Sequence, residues 1–334
     1  MKISIITTYY NSVQLGDFVH LSMNCLLNQT YQNIEFVCVN DGSKDETLQQ
    51  LEAYAKNDSR IIIVDKKNEG VAQYAKAAGQ DIATGDYVML FDHDDLLSMD
   101  AIEKAVDVLE NNVELDAVTM LVKTQYLDGK VKYFSNLDIL MKDDSEYKPR
   151  IMTGIDIFSK TVGKYDVHFR GLIRKDKFKS NSFRYKEKLV NGDEIVERFI
   201  FKNLVKIGSC QGIYHHYIYD NSSAKSYNLK KTDIARTDVI LRDLFKKENV
   251  YEARKTIFEV DAYKTFVNAV KVYNHFKNDL SPKEIKFYKN RLKESYENLD
   301  KSIIINEFKG LNKIYHFLIL NSFTTIFYFY KFKG

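Results

Sequence analysis

Residues 87–95 read YVMLFDHDD, five apolar residues running directly into four polar ones, three of them acidic. A run that is apolar at every position, rather than at alternate ones, fits a strand covered on both faces. Three similar runs precede it: Lys2–Thr8 (KISIITT), Ile34–Val39 (IEFVCV) and Arg60–Val64 (RIIIV). Between them lie stretches with helical spacing, at residues 13–29, Thr47–Lys56 and Val71–Ala83. Strand and helix alternating at this interval predict βαβ units, hence an α/β fold with a parallel sheet. Ligands of such sheets sit beyond the carboxyl ends of the strands. The polar clusters Thr8–Asn11, Asn40–Ser43 and Asp92–Asp95 all fall there, and so converge on one site.

Asp92-His93-Asp94-Asp95 places two or three carboxylates within reach of one cation. Hard oxygen ligands in that number suit Mg²⁺ or Mn²⁺ better than zinc. A cation held this way binds substrate phosphates and screens charge on a leaving diphosphate. The plainer alternative is a helix cap, with Asp95 or Ser98 capping a helix at Met99–Leu109.

These stretches, taken together, carry a resemblance. SIITTYYN, EFVCVNDGSKDET, KKNEGVAQYAKAAGQDIATGDYVMLFDHDD and, later, NGDEIVERFIF resemble the successive motifs of family-two inverting glycosyltransferases with the GT-A fold. The likeness is close and ordered over residues 3–110, thinner over 165–225, and absent beyond. It implies a nucleotide-sugar donor, a UDP-sugar first, and roles position by position. Thr8, Tyr10 and Asn11 would line the nucleotide pocket, and Asp41 would accept a hydrogen bond from the uracil N–H. Asn68 and Gly70 would shape the loop near the donor, and Lys76 would contact the diphosphate or sugar. Asp92 would touch the ribose or donor sugar and Asp94 would be the principal metal ligand. His93 occupies the variable middle of the motif, where it either tunes donor choice or packs.

An inverting transfer needs a carboxylate that takes the acceptor hydroxyl's proton. The resemblance assigns this to Asp193-Glu194, whose order is the reverse of the usual Glu-Asp. Residue type favours Asp193 and register favours Glu194; the alternative is a first-turn acid stabilising a helix N-terminus. The segment Ile213–Ser223 resembles the family's closing motif, where His215 or His216 would complete the metal shell or bind a phosphate. Adjacent strand residues point to opposite faces, so one of the two would serve. Arg170, Arg174 and Arg198 are further acceptor or phosphate contacts, or else surface salt-bridge partners.

The rest of the chain bounds these expectations. It has 334 residues, 45% of them hydrophobic, and three scattered cysteines without a CxxC pair. That argues against a disulfide framework or thiolate zinc site and fits a reducing cytoplasm. MKISIITTYYN turns polar too soon for a signal peptide. Residues 1–120 carry 8 Lys and Arg against 20 Asp and Glu, while the remainder is basic, for a net charge of +3 overall. No nucleic-acid motif accompanies the basic part, which suits an anionic membrane surface or a phosphorylated acceptor better.

A GT-A domain is expected over 1–225, its donor half at 1–110 and its acceptor half at 111–225, followed by a helical region at 226–334. Leu127-Asp128-Gly129-Lys130 reads as a hairpin turn, and Ser281-Pro282-Lys283-Glu284 as a helix start. Ile314–Tyr330 is 17 residues without a formal charge, bracketed by lysines. It is at the short limit for a bilayer span and fits a peripheral position on the inner membrane face, or buried packing. Abundant Lys, Asn, Ile and Tyr with few Pro and no Trp look like the product of an AT-rich bacterial gene. Together these features suggest synthesis of capsule, lipopolysaccharide or another surface glycan on a lipid-linked acceptor. The competing readings are a nucleotidyltransferase and a non-catalytic sugar-nucleotide-binding scaffold. The first would be expected to carry a glycine-rich basic loop after the first strand, which Thr8–Gly16 lacks.

Overall fold

A computed structural model of the protein describes residues 1–125, 131–135, 151–165, 167–178, 187–218 and 228–329. They form two compact units. The first comprises Met1–Phe158, Val167–Lys188 and Val196–Lys225; the second comprises Ser159–Asp166, Leu189–Ile195 and Ser226–Gly334.

The first unit is built on one sheet. In chain order the strands are β1 (Ile3–Tyr9), β2 (Ile34–Asp41), β3 (Ile61–Lys66), β4 (Tyr87–Asp92), β5 (Leu96–Leu97), β6 (Ala117–Gln125), β7 (Val131–Ser135), β8 (Met152–Thr153), β9 (Gly171–Arg174) and β10 (Lys206–Tyr217). Their order across the sheet is β3-β2-β1-β4-β9-β6-β10-β5, with β7 beside β6 and β8 beside β10. The four apolar runs of the sequence are β1 to β4, and they pair in parallel. Almost every residue of β1, β2 and β4 is buried, as strands sandwiched between helix layers require. The turn at 126–130 lies outside the described residues, although the antiparallel pairing of β6 with β7 on either side of it is present.

Two local expectations need correction. The stretch 13–29 is two helices, Ser12–Gly16 and Phe18–Leu27, because Asp17 between them adopts φ 59, a left-handed conformation that ends the first helix. Neither Asp95 nor Ser98 caps the helix Ala101–Asn111: Asp100 occupies the cap position, without a side-chain cap bond, and Ser98 Oγ donates to Asp100.

Beyond β4 the sheet changes direction. β9 runs antiparallel to both β4 and β6, and Gly171 is needed where it meets β6. A Cβ at that position would collide with the carbonyl oxygen of Val118, so the close approach admits only hydrogen. The preceding residue, Arg170, is held by its carbonyl, which accepts bonds from Met120 N (2.8 Å) and Thr119 Oγ1 (3.1 Å).

The second unit is helical. Its described helices include Asp233–Lys247, Lys255–Phe276, Pro282–Asn298, Lys301–Glu307, Gly310–Leu320 and Phe323–Phe329. Pro282 opens its helix behind a reciprocal capping box between Ser281 and Glu284, as the sequence predicted. The uncharged tail is divided at Asn321–Ser322 into two short helices. Among the described residues, no helix is long and apolar enough to cross a membrane.

The core of this unit holds a buried charge network. Arg242 donates to both oxygens of Glu259 (2.6 and 3.1 Å), which also accepts from Tyr251 Oη (2.6 Å). Nearby, Asp238 accepts from the Thr265 hydroxyl and is itself buried. Burial raises its carboxyl to about 7, against smaller lowering effects of Thr265 and Arg242. A carboxyl raised on folding contributes full stability below its unfolded pKa, near 3.9. That contribution is lost as pH rises through the folded value. Asp238→Asn removes the charge and keeps the shape. It is expected to be nearly neutral at about pH 4 and to raise the melting temperature by several degrees at about pH 8.5. Equal effects at both pH values, measured by calorimetry, would refute the assignment.

Candidate active site

The parallel register places the polar clusters side by side. Thr8 of β1 is opposite Asp92 of β4, Tyr9 is opposite Asn40 of β2, and Asp41 is opposite Lys66 of β3. Thr8, Asp41, Asp92 and the residues that follow them therefore line one edge of the sheet, at the carboxyl ends of adjacent strands. Thr8 is half-buried and Tyr10 is exposed there.

The loops are tied to each other. Asn11, at φ 51, accepts a bond from Lys44 N (2.8 Å) through its side chain, while its own N–H donates to Ser43 Oγ (3.0 Å). Asn11 thus fastens the loop after β1 to the loop after β2. Asp41 is held on both oxygens, by Lys66 Nζ (2.9 Å) and by Asn68 Nδ2 (3.0 Å). The other end of the Asn68 amide accepts from Gly70 N (2.7 Å), and Gly70 takes φ 88. Asp41, Asn68 and Gly70 are consequently one connected group. Lys66 belongs to it although nothing in its sequence position singled it out.

Asp92 lies between two cations. Its Oδ1 pairs with Lys76 Nζ at 3.0 Å and its Oδ2 with Arg170 Nη2 at 2.9 Å. Burial opposes ionisation of Asp92, but Lys76 and then Arg170 outweigh it and hold the carboxyl well below the usual range. Arg170 also stacks over the Tyr214 ring at 4.9 Å. Two residues further on, the balance reverses: burial, then the neighbouring Asp95, push the Asp94 carboxyl up.

Asp95 is almost wholly buried and joins β4 to β10. It accepts from Tyr214 Oη (2.6 Å) and Tyr217 N (3.1 Å), and His216 Nδ1 lies 3.0 Å from its Oδ1. The Tyr214 hydroxyl in turn accepts from Asp92 N (3.3 Å). His215 is in register with Lys123 instead, and burial, then that cation, lower its pKa. His93 packs its ring near those of Tyr9 (5.7 Å) and Phe18 (5.5 Å). Among the described residues, no group of three or more His, Cys, Asp or Glu side chains is gathered to hold a metal ion.

Two of the arginines are elsewhere. Arg174 faces Tyr87, at the opposite end of β4, where it pairs with Asp116 and with Asp176. Arg198 is fully buried and presents no surface to a ligand. Asp193 and Glu194 open the helix Gly192–Asn203 and fall in the part of the chain that belongs to the second unit. Glu194 is buried and Asp193 half-buried.

A mostly parallel sheet with polar residues gathered on adjacent strand ends and a D-x-D at the end of β4 is the GT-A architecture of glycosyltransferases. The chain belongs to glycosyl transferase family 2, whose sequence profile matches residues 4–180. An uncharacterized glycosyltransferase of Haemophilus influenzae is 27% identical over 311 residues, covering 90% of this chain and 88% of that protein. The glucosyl-dolichyl phosphate glucuronosyltransferase of Haloferax volcanii is 29% identical over 134 residues, 40% of this chain and 42% of its own length. S. aureus TarS 1–349, solved in complex with UDP-GlcNAc, superposes with a TM-score of 0.65 at 16% identity, covering 99% of this chain and 89% of that one. Likeness at that identity speaks to the fold.

Proposed function

We propose that the protein moves a sugar from a UDP-sugar to a hydroxyl of a glycan or lipid-linked acceptor, with inversion at the anomeric carbon, in the making of a bacterial surface polysaccharide such as capsule or lipopolysaccharide. The observation that carries this reading is the row of Thr8, Asp41 and Asp92 on adjacent strand ends, with Asp41 anchored by Lys66 and Asn68. A fixed carboxylate suits the N–H edge of uracil and repels the unprotonated N3 of cytosine. TarS, the structural neighbour, binds UDP-GlcNAc, and the Haloferax relative is named for a dolichyl-linked substrate.

In the reaction the acceptor oxygen attacks the anomeric carbon, the bond to the diphosphate oxygen breaks, and the hydroxyl proton passes to a carboxylate. That base is Asp193 or Glu194, and Asp193 is the more accessible of the two. Lys76 and Arg170 fix the Asp92 carboxylate, which in turn orients the ribose or donor sugar by accepting its hydroxyls. Asp94 is the residue to hold Mn²⁺ or Mg²⁺. One carboxylate, completed by waters and diphosphate oxygens, is a common mode for magnesium, and a cation relieves the repulsion that burdens Asp94. Such a cation, when bound, screens the charge on the leaving diphosphate. Of the two histidines, His216 is the better placed to contribute: its Nδ1 is oriented by Asp95, leaving Nε2 for a phosphate or cation. Residues 311–334 bring the enzyme into peripheral contact with a membrane.

Thermal-shift binding of UDP, GDP and CMP, each with and without Mn²⁺, tests the donor assignment. UDP at about 100 times its Kd is expected to stabilise the protein by about 2.7 kcal/mol. CMP is expected to do much less, and Asp94→Ala to remove the metal-dependent part. No response to UDP under any condition would defeat the reading. UDP binding without turnover of any UDP-sugar would favour the scaffold instead.

A further inference from the structure

The helix Gly310–Leu320 is anchored on one side only. His316 Nδ1 lies 2.9 Å from Tyr263 Oη, the His316 ring stacks on Phe308 at 3.6 Å, and Ile319 and Leu320 are buried. On the other side Leu311 is 85% exposed, Ile314 58%, Phe317 54% and Leu318 58%. Positions 311, 314 and 318 recur at the spacing of one helical face, with Phe317 beside them. Four large apolar side chains on one exposed face are more than scattered surface hydrophobics.

Charge says what covers them. Glu307 is the last acid of the chain, and Lys309, Lys313, Lys331 and Lys333 follow it. A second copy of this face would bring lysine against lysine, which opposes self-association. An anionic surface with an apolar interior complements both features. At 11 residues the helix is about 16 Å long, which suits lying in the headgroup layer and is far too short to span the bilayer.

We propose that this face docks the protein on an anionic lipid bilayer, with Leu311, Ile314, Phe317 and Leu318 entering the interface and Lys309 and Lys313 meeting lipid phosphates. The inference rests on the reading that residues 311–334 touch a membrane, and it names the element, the orientation and the lipid charge.

Co-sedimentation of the full chain with vesicles tests it. Binding to phosphatidylglycerol-containing vesicles is expected to exceed binding to pure phosphatidylcholine by about tenfold or more, and to fall with added salt. Leu311→Glu/Leu318→Glu is expected to weaken vesicle binding by about tenfold or more while leaving the melting temperature and UDP stabilisation unchanged. Absence of binding to anionic vesicles, or equal binding by the variant, would overturn the proposal. So would a dimer that the variant converts to monomer without any vesicle binding. UDP stabilisation is read in the same samples, so a failed docking result stays distinct from a failed donor assignment.

Discussion

Asp92→Ala is expected to lower turnover by about a thousandfold or more and to destabilise the fold by about 2–3 kcal/mol. Both effects come from one arrangement. Lys76 and Arg170, largely buried, each present a cation to a different oxygen of the Asp92 carboxylate. Without the carboxylate, two cations face each other in a partly dry site. Arg170 is fixed through its backbone carbonyl and through stacking on Tyr214, so it cannot retreat easily. Asp92→Asn separates the components: it keeps shape and one acceptor oxygen but supplies no charge, and is expected to lose nearly as much activity with a smaller loss of stability. The checks are kcat/KM with a UDP-sugar and chemical denaturation of each variant. An Asp92→Asn variant with activity near wild type would show that the charge does not matter.

The second large effect is expected at Asp95, which touches no donor in the proposed chemistry. Asp95→Ala removes the acceptor for Tyr214 Oη and Tyr217 N and the partner of His216 Nδ1 at a nearly inaccessible position. Leaving such groups unsatisfied is expected to cost about 2–4 kcal/mol. Activity is expected to fall about 10- to 100-fold, because the Tyr214 hydroxyl also accepts the Asp92 backbone N–H and His216 loses its orientation. Combining Asp95→Ala with Tyr214→Phe supplies the decisive comparison. If the two side chains act together, the double variant is more stable than the sum of the single effects requires, by about 1 kcal/mol or more. Strict additivity would show that they act separately.

These two predictions rest on residues that the sequence reveals unequally. The D-x-D at Asp92–Asp94 is visible because a buried strand ends on it, and the polar clusters Thr8–Asn11 and Asn40–Ser43 after the first two strands are visible for the same reason. Period and polarity are local properties, set within a window of about ten residues, and they are enough to place β1 to β4 and their order of chemistry. The Ser281–Glu284 helix start is local in the same way.

What the local pattern leaves open are pairings between residues far apart in the chain. Arg170 meets Asp92 across 78 positions, and Tyr214 meets Asp95 across 119. Neither spacing has a period, and Arg170, Arg174 and Arg198 look alike in the sequence. Strand β9 separates the first two: Gly171 lets it approach β6, which puts Arg170 at the acidic edge, while Arg174, four residues on, faces the far end of β4. His215 and His216 are likewise equivalent until strand pairing turns one toward Lys123 and the other toward Asp95. Thus the sequence alone specified an α/β sheet with a carboxylate-lined edge, since burial and alternation are written into consecutive residues. Which cation neutralises Asp92, and which buried acid holds the neighbouring tyrosine and histidine, was decided only when packing brought distant strands into register.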